Sequence, residues 1–152
     1  MTGNALLHQP APDFRLINDN NQPRTLAELA RANGTLLVFV YGSYCSTCVQ
    51  TLISLSRATT DFDHHEIGLA IISLDEWAHS NTFKLGLHMD IPFDILADPD
   101  GAVHKAYGAY NQSFGAAFIR PDGTVAGTRY DDRYPGTRTL FRLMVEDSEA
   151  SR

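Results

Sequence analysis

The chain has 152 residues with 12 Lys and Arg against 18 Asp and Glu, a net charge of -6, and hydrophobic and charged fractions of 43% and 20%. That length suits one domain over 1–152 with a single core, and the composition excludes the disordered and fibrous classes. The acidic balance, with no basic stretch, argues against a nucleic-acid partner, because phosphate backbones are met by clustered cations.

Met1 to Pro12 lacks a basic flank followed by a long apolar run. We read 1–12 as a lead-in and neither a signal peptide nor an anchor, which gives no membrane partner and a cytoplasmic default. Pro10 and Pro12 push their predecessors out of helical geometry, so the chain should be extended through Leu16. Thr25-Leu26-Ala27-Glu28 has the pattern of a capping box, opening a short helix that runs to Asn33 and ends at Gly34.

Thr35 to Tyr41 is almost wholly apolar and rich in branched and aromatic residues, the pattern of a strand covered on both faces. Gly42 and Ser43 interrupt it, and Leu52, Ile53 and Leu55 then predict a helix from Cys45 to Thr59. A second buried strand is expected over Ile67 to Leu74, then a helix from Asp75-Glu76-Trp77 carrying Phe83, Leu85 and Leu87. Ile91 to Leu96 reads as a short strand stopped by Asp98-Pro99-Asp100-Gly101, and Val103 to Tyr107 as a helical turn or two.

Ala116 to Ile119 and Thr124 to Tyr130 flank Pro121-Asp122-Gly123, a hairpin turn in which proline sets one dihedral and glycine supplies the unusual one. Thr137 is expected to cap a last helix through Leu140, Phe141, Leu143 and Met144, leaving 146–152 as a polar tail. The element order implies an α/β sandwich of three layers, a central mixed sheet with helices on both faces.

The two cysteines of the chain, Cys45 and Cys48, follow the first apolar strand at Cys-x-x-Cys spacing. A disulfide within one chain can therefore only join these two. Such a pair serves redox chemistry or half of a zinc site. A thiolate in the first turn of a helix is stabilised by unpaired amides and the helix dipole. Cys45, at the edge, is the more exposed candidate for attack on a disulfide, and Cys48, a turn later, the group that resolves the mixed disulfide. In a peroxide cycle the roles reverse, with Cys48 oxidised to a sulfenic acid and Cys45 resolving it. A metal carrier would need further ligands, and none of His8, His64, His65, His79, His88 and His104 adjoins the cysteines in sequence. His79, His88 and His104 stay in view for that alternative.

An aromatic residue before Cys-x-x-Cys, between a strand and a helix, resembles the thioredoxin fold. Ala11-Pro12-Asp13-Phe14, Leu74-Asp75, Ile91-Pro92-Phe93, Leu96 to Gly101, Ala106-Tyr107-Gly108 and Phe118 to Gly123 are similar to the redoxin or peroxiredoxin-like (AhpC/TSA) branch. The likeness spans Ala11 to Tyr130. It implies a thiol oxidoreductase that needs no cofactor, acts on a disulfide-containing protein or a small oxidant, and is recycled by an external thiol reductant.

The resemblance also marks departures. The peroxiredoxin pattern Pro-x-x-x-Thr/Ser-x-x-Cys falls on Tyr41, Cys45 and Cys48, and its arginine position falls on Phe114, leaving Arg120 and Arg129 as arginines that could reach the site from elsewhere. The thioredoxin cis-proline position falls at Gly115 or Ala116, and its buried acid at Phe39. Ser46 and Thr47 lack the proline that thioredoxin holds between its cysteines, which should alter the reduction potential. Tyr44, Ser46, Thr47, Gly115 and Ala116 are thus expected to shape the site. Arg120 to Ala126 further resembles the thioredoxin-like C-terminal domains of flavin-dependent aromatic hydroxylases, which keeps open a non-catalytic interaction module.

Overall fold

The apolar run after Gly34 becomes the centre of the sheet. In the computed structural model, which describes residues 6–42 and 45–150 with backbone alone at 143 and 145–150, β3 (Thr35–Val40) is buried at every residue. It pairs in parallel with β4 (Gly68–Ser73), which pairs in parallel with β5 (Asp94–Ala97). On its other side β3 runs antiparallel to β6 (Phe114–Ile119), and β6 antiparallel to β7 (Val125–Asp131). Gly123 turns the last hairpin at φ 89°, as its sequence requires.

Two strands escape the sequence reading. β1 (Arg15–Ile17) and β2 (Pro23–Thr25) are three residues each, pair antiparallel, and attach to β5 through Ile17 and Ala97. The described sheet therefore has the order β2-β1-β5-β4-β3-β6-β7, a mixed sheet of the expected α/β class.

Helices cover both faces because alternate residues of the central strands point opposite ways. On one face, α2 (Ser46–Arg57), α3 (Thr59–His64), α4 (Trp77–Gly86) and α6 (Thr137–Ala150) pack on Val38, Val40, Ile71 and Ala116. On the other, α1 (Leu26–Leu29) and α5 (Ala102–Ala106) lie over Leu37, Phe39, Ile72 and Ala117.

Several boundaries move. The capping box of Thr25 and Glu28 forms, yet α1 stops at Leu29 because Ala30 turns extended. Gly34, at φ 111°, closes a tight bridge to Arg31 in place of a helix end. The single helix expected to Thr59 divides at Ala58 into α2 and α3. Leu85, expected to pack with Phe83 and Leu87, lies 69% exposed near the end of α4, while the other two meet the core. Thr137 is the first residue of α6 and not its cap, and its hydroxyl bonds the Tyr134 hydroxyl. The backbone of α6 continues through 146–150.

Candidate active site

The cysteines sit where β3 delivers the chain to α2. Cys45 is the N-cap of α2 and not part of its first turn: its backbone is extended (φ -101°, ψ 127°) and its Sγ accepts the Cys48 N–H at 3.4 Å. A helix opening prefers such a position, a nonhelical residue whose side chain accepts an orphan amide. Both thiols are free. Cys45 is partly exposed, and Cys48 is buried at 3% exposure among the α2, β3 and β6 core residues.

Burial pushes the Cys48 thiol up to about 12, reinforced by its hydrogen bond to Cys45 and by the charge there, while the backbone at Gly42 and Tyr41 pulls the other way. The exposed sulfur is thus the one a substrate can approach. The buried one must be deprotonated on site to react.

Of the other expected site residues, Tyr44 lies outside the described residues. Ser46 is exposed and Thr47 half-buried, its carbonyl accepting the Thr51 hydroxyl at 2.7 Å. Ala116 pairs with Val38 and belongs to the same core as Cys48. Gly115 pairs with Phe39 on the opposite face, where an added Cβ would meet that of Ala109 at 3.0 Å, so it is small for packing there.

Phe114 belongs to the same core as Cys48 and meets Tyr134 edge-on. Arg120 lies past the far end of β6, bonding Thr124 and His8. Arg129 is on β7 with its guanidinium 2.7 Å from Asp131. His79 and His88 are exposed. His104 is committed elsewhere, with Nδ1 2.7 Å from Asp98 and Nε2 3.1 Å from the Val40 carbonyl. The described residues gather no group of three metal-ligating side chains.

One acid near the site, Asp75, entered the sequence reading in Leu74-Asp75 as part of the resemblance, with no role at the site. Asp75, in the loop after β4, lays its carboxylate over Gly42: a Cβ on Gly42 would meet Asp75 Oδ1 at 2.5 Å. Gly42, Ser73, Asp75 and Cys48 line one small cavity. A further sign in the sequence was Gly42, placed directly after a strand.

Comparison with known proteins agrees with this geometry. Alkyl hydroperoxide reductase E of Mycobacterium tuberculosis is 31% identical over 115 residues, 70% of each chain. Among solved structures, the reduced 2-Cys peroxiredoxin of Plasmodium vivax superposes with a TM-score of 0.85 at 17% identity, covering 97% of this chain and 99% of that one. A thiol:disulfide interchange protein DsbE of Chlorobium tepidum does so at 0.77 and 18%, covering 91% and 95%. These two likenesses establish the thioredoxin-like fold. The AhpC/TSA family model matches residues 7–128, and the chain therefore belongs to the AhpC/TSA family of thiol oxidoreductases.

Proposed function

We propose that the protein reduces disulfides or small oxidants by cycling Cys45 and Cys48 between dithiol and disulfide. The observation that carries this is the asymmetry of the pair: a partly exposed sulfur at the N-cap of α2, and a buried thiol one turn behind whose amide it holds at 3.4 Å. Cys45 thiolate attacks a substrate disulfide, forming one S–S bond and expelling one substrate thiolate. Cys48, deprotonated, then attacks Cys45, and the second substrate thiolate leaves. The substrate gains two electrons and the pair loses them, so an external thiol reductant must restore it. Our reading sets this in the cytoplasm. No helix among the described residues is long and apolar enough to cross a membrane.

The experiment is a redox titration of the purified protein with mass detection, in wild type and in Cys48→Ser. A reversible loss of two hydrogens in the wild type and a trapped mixed disulfide on Cys45 in the variant are expected. Absence of both overturns the reading.

A second reading is favoured by relatives named for hydroperoxide reduction. There Cys48 attacks the peroxide and Cys45 resolves the sulfenic acid. Stopped-flow consumption of hydrogen peroxide decides it, since a rate no faster than free cysteine excludes a peroxidase.

A further inference from the structure

The chain leaves the sheet at Val40, the last residue of β3, and reaches Cys45 after four further residues. Whatever fixes the Val40 carbonyl therefore bears on where the exposed sulfur stands. In an extended strand successive carbonyls face opposite neighbours. That of Tyr41 accepts the Leu74 N–H at 3.1 Å, on the β4 side, so that of Val40 faces the β6 side. The β6 ladder ends at Phe39 opposite Gly115, one pair short of Val40. A carbonyl is thus left over at a buried strand end, where an unpaired acceptor is costly.

His104 takes it. The ring reaches in from α5 on the Phe39 face of the sheet, and its Nε2 lies 3.1 Å from the Val40 oxygen. A carbonyl oxygen only accepts, so Nε2 is the donor of this contact. Asp98 holds Nδ1 at 2.7 Å, and Phe39 meets the ring edge-on at 5.2 Å between centroids. Asp98 is itself fixed: its carboxylate accepts the N–H groups of Val103 and His104, and its own N–H donates to the Ser73 carbonyl at 2.8 Å. Ring and carboxylate together tie the ends of β3, β4 and β5. Beyond Val40 the Gly42 carbonyl accepts the Cys45 N–H at 3.3 Å, and the Cys45 sulfur then caps α2.

We propose that His104 is a positioning residue for Cys45, holding the Val40–Tyr41 peptide so that the attacking sulfur stands against the open amides of α2. The inference rests on the dithiol reading above. His104 is sealed in the core at 1% exposure and acts through the backbone. Without its donor the strand end and the turn behind it shift to satisfy the Val40 carbonyl elsewhere, and a reacting atom misplaced by about 1 Å loses on the order of 100-fold in rate.

The test is stopped-flow reaction of reduced protein with the chromogenic disulfide dithiobis(nitrobenzoic acid), whose first coloured thiolate leaves as Cys45 attacks. His104→Leu fills the space without a donor and is expected to slow that release on the order of 10- to 100-fold. His104→Gln, whose amide nitrogen can reach the Val40 oxygen, is expected to restore it. Gly68→Ala strains the opposite end of β4 against the Leu29 carbonyl, lowers stability without touching this tie, and is expected to react at the wild-type rate. Circular dichroism selects a temperature at which every variant is folded. Should His104→Leu not fold, His104→Asn, whose shorter amide reaches Asp98 and not Val40, takes its place with the same expected loss. A release within about twofold of wild type in the donorless variant, or equal slowing in His104→Gln or Gly68→Ala, overturns the proposal. If Cys45→Ser still gives a normal first release, the dithiol reading itself fails, and the two failures are distinct.

Discussion

Asp98 and His104 meet at 2.7 Å with 1% of each side chain exposed, and His104 spends its second nitrogen on the Val40 carbonyl at 3.1 Å. The ring thus bridges a carboxylate oxygen and a backbone carbonyl oxygen in the core. Val40 is the last residue of β3, so this pair anchors the strand end from which the redox loop departs. Burial would raise the Asp98 carboxyl, but the His104 ring and the backbone N–H groups of His104 and Val103 outweigh it and hold it below its ordinary 3.8.

A depressed carboxyl contributes stability that is complete above its unfolded value and is lost as pH falls through its folded one. The stability difference between wild type and Asp98→Asn should therefore be constant above pH 3.8 and shrink below it. Urea unfolding at a series of pH values measures this. His104→Ala, which leaves the buried carboxylate with backbone donors alone, is expected to cost roughly 3 kcal/mol at neutral pH.

Alkylation should separate the two thiols. With the Cys48 thiol pushed up to about 12, iodoacetamide should modify Cys45 first. In Cys45→Ser the rate at Cys48 should climb about tenfold per pH unit while the protein stays folded, because only the thiolate reacts. Peptide mass mapping over time reads both sites, and equal rates at neutral pH would contradict the burial asymmetry.

Two glycines should respond oppositely to alanine. A Cβ at Gly68 would stand 2.1 Å from the Leu29 carbonyl oxygen, a backbone atom pinned at the end of α1, while one at Gly86 meets nothing within 4 Å. Gly68→Ala should lose about 1–3 kcal/mol by overpacking. Gly86→Ala, in the last turn of α4, should gain about 0.5–1 kcal/mol from helix propensity. Thermal melts of the two variants fix the signs.

Lys84 is expected to matter more than a surface lysine. Its ammonium donates to Asp19 at 3.1 Å and to the Phe93 carbonyl at 2.8 Å, and Asp19, 2% exposed, also accepts the Ile95 N–H at 3.1 Å. Lys84→Met would strand that buried carboxylate at a cost of roughly 3 kcal/mol. Because the pair is sheltered, the loss should change little between low and high salt. Denaturant midpoints at two ionic strengths give the answer.

Periodicity and turn chemistry carried most of the fold. The run Leu36 to Val40 announced a doubly covered strand, Pro121-Asp122-Gly123 a hairpin, and Thr25 with Glu28 a capped helix, each because the preference is local. Arg15 and Leu16 announced extended chain but no sheet, since three residues of mixed exposure become a strand only when β2 and β5 supply partners. The helix expected to Asn33 failed for a related reason: a four-residue turn lasts as long as tertiary contacts hold it, and the chain must leave at Ala30 to enter β3.

Spacing alone determined that Cys45 and Cys48 form one redox pair after a buried strand, because three residues along the chain bring two thiols within reach of each other in a helix opening. Which sulfur meets the substrate and which is sealed away was decided by the core that closes over Cys48. Only the tertiary structure brought Asp75 against Gly42 and set the Asp98–His104 pair under Val40. Those contacts join segments more than 30 residues apart, and their energies depend on burial, which local residue preferences do not contain.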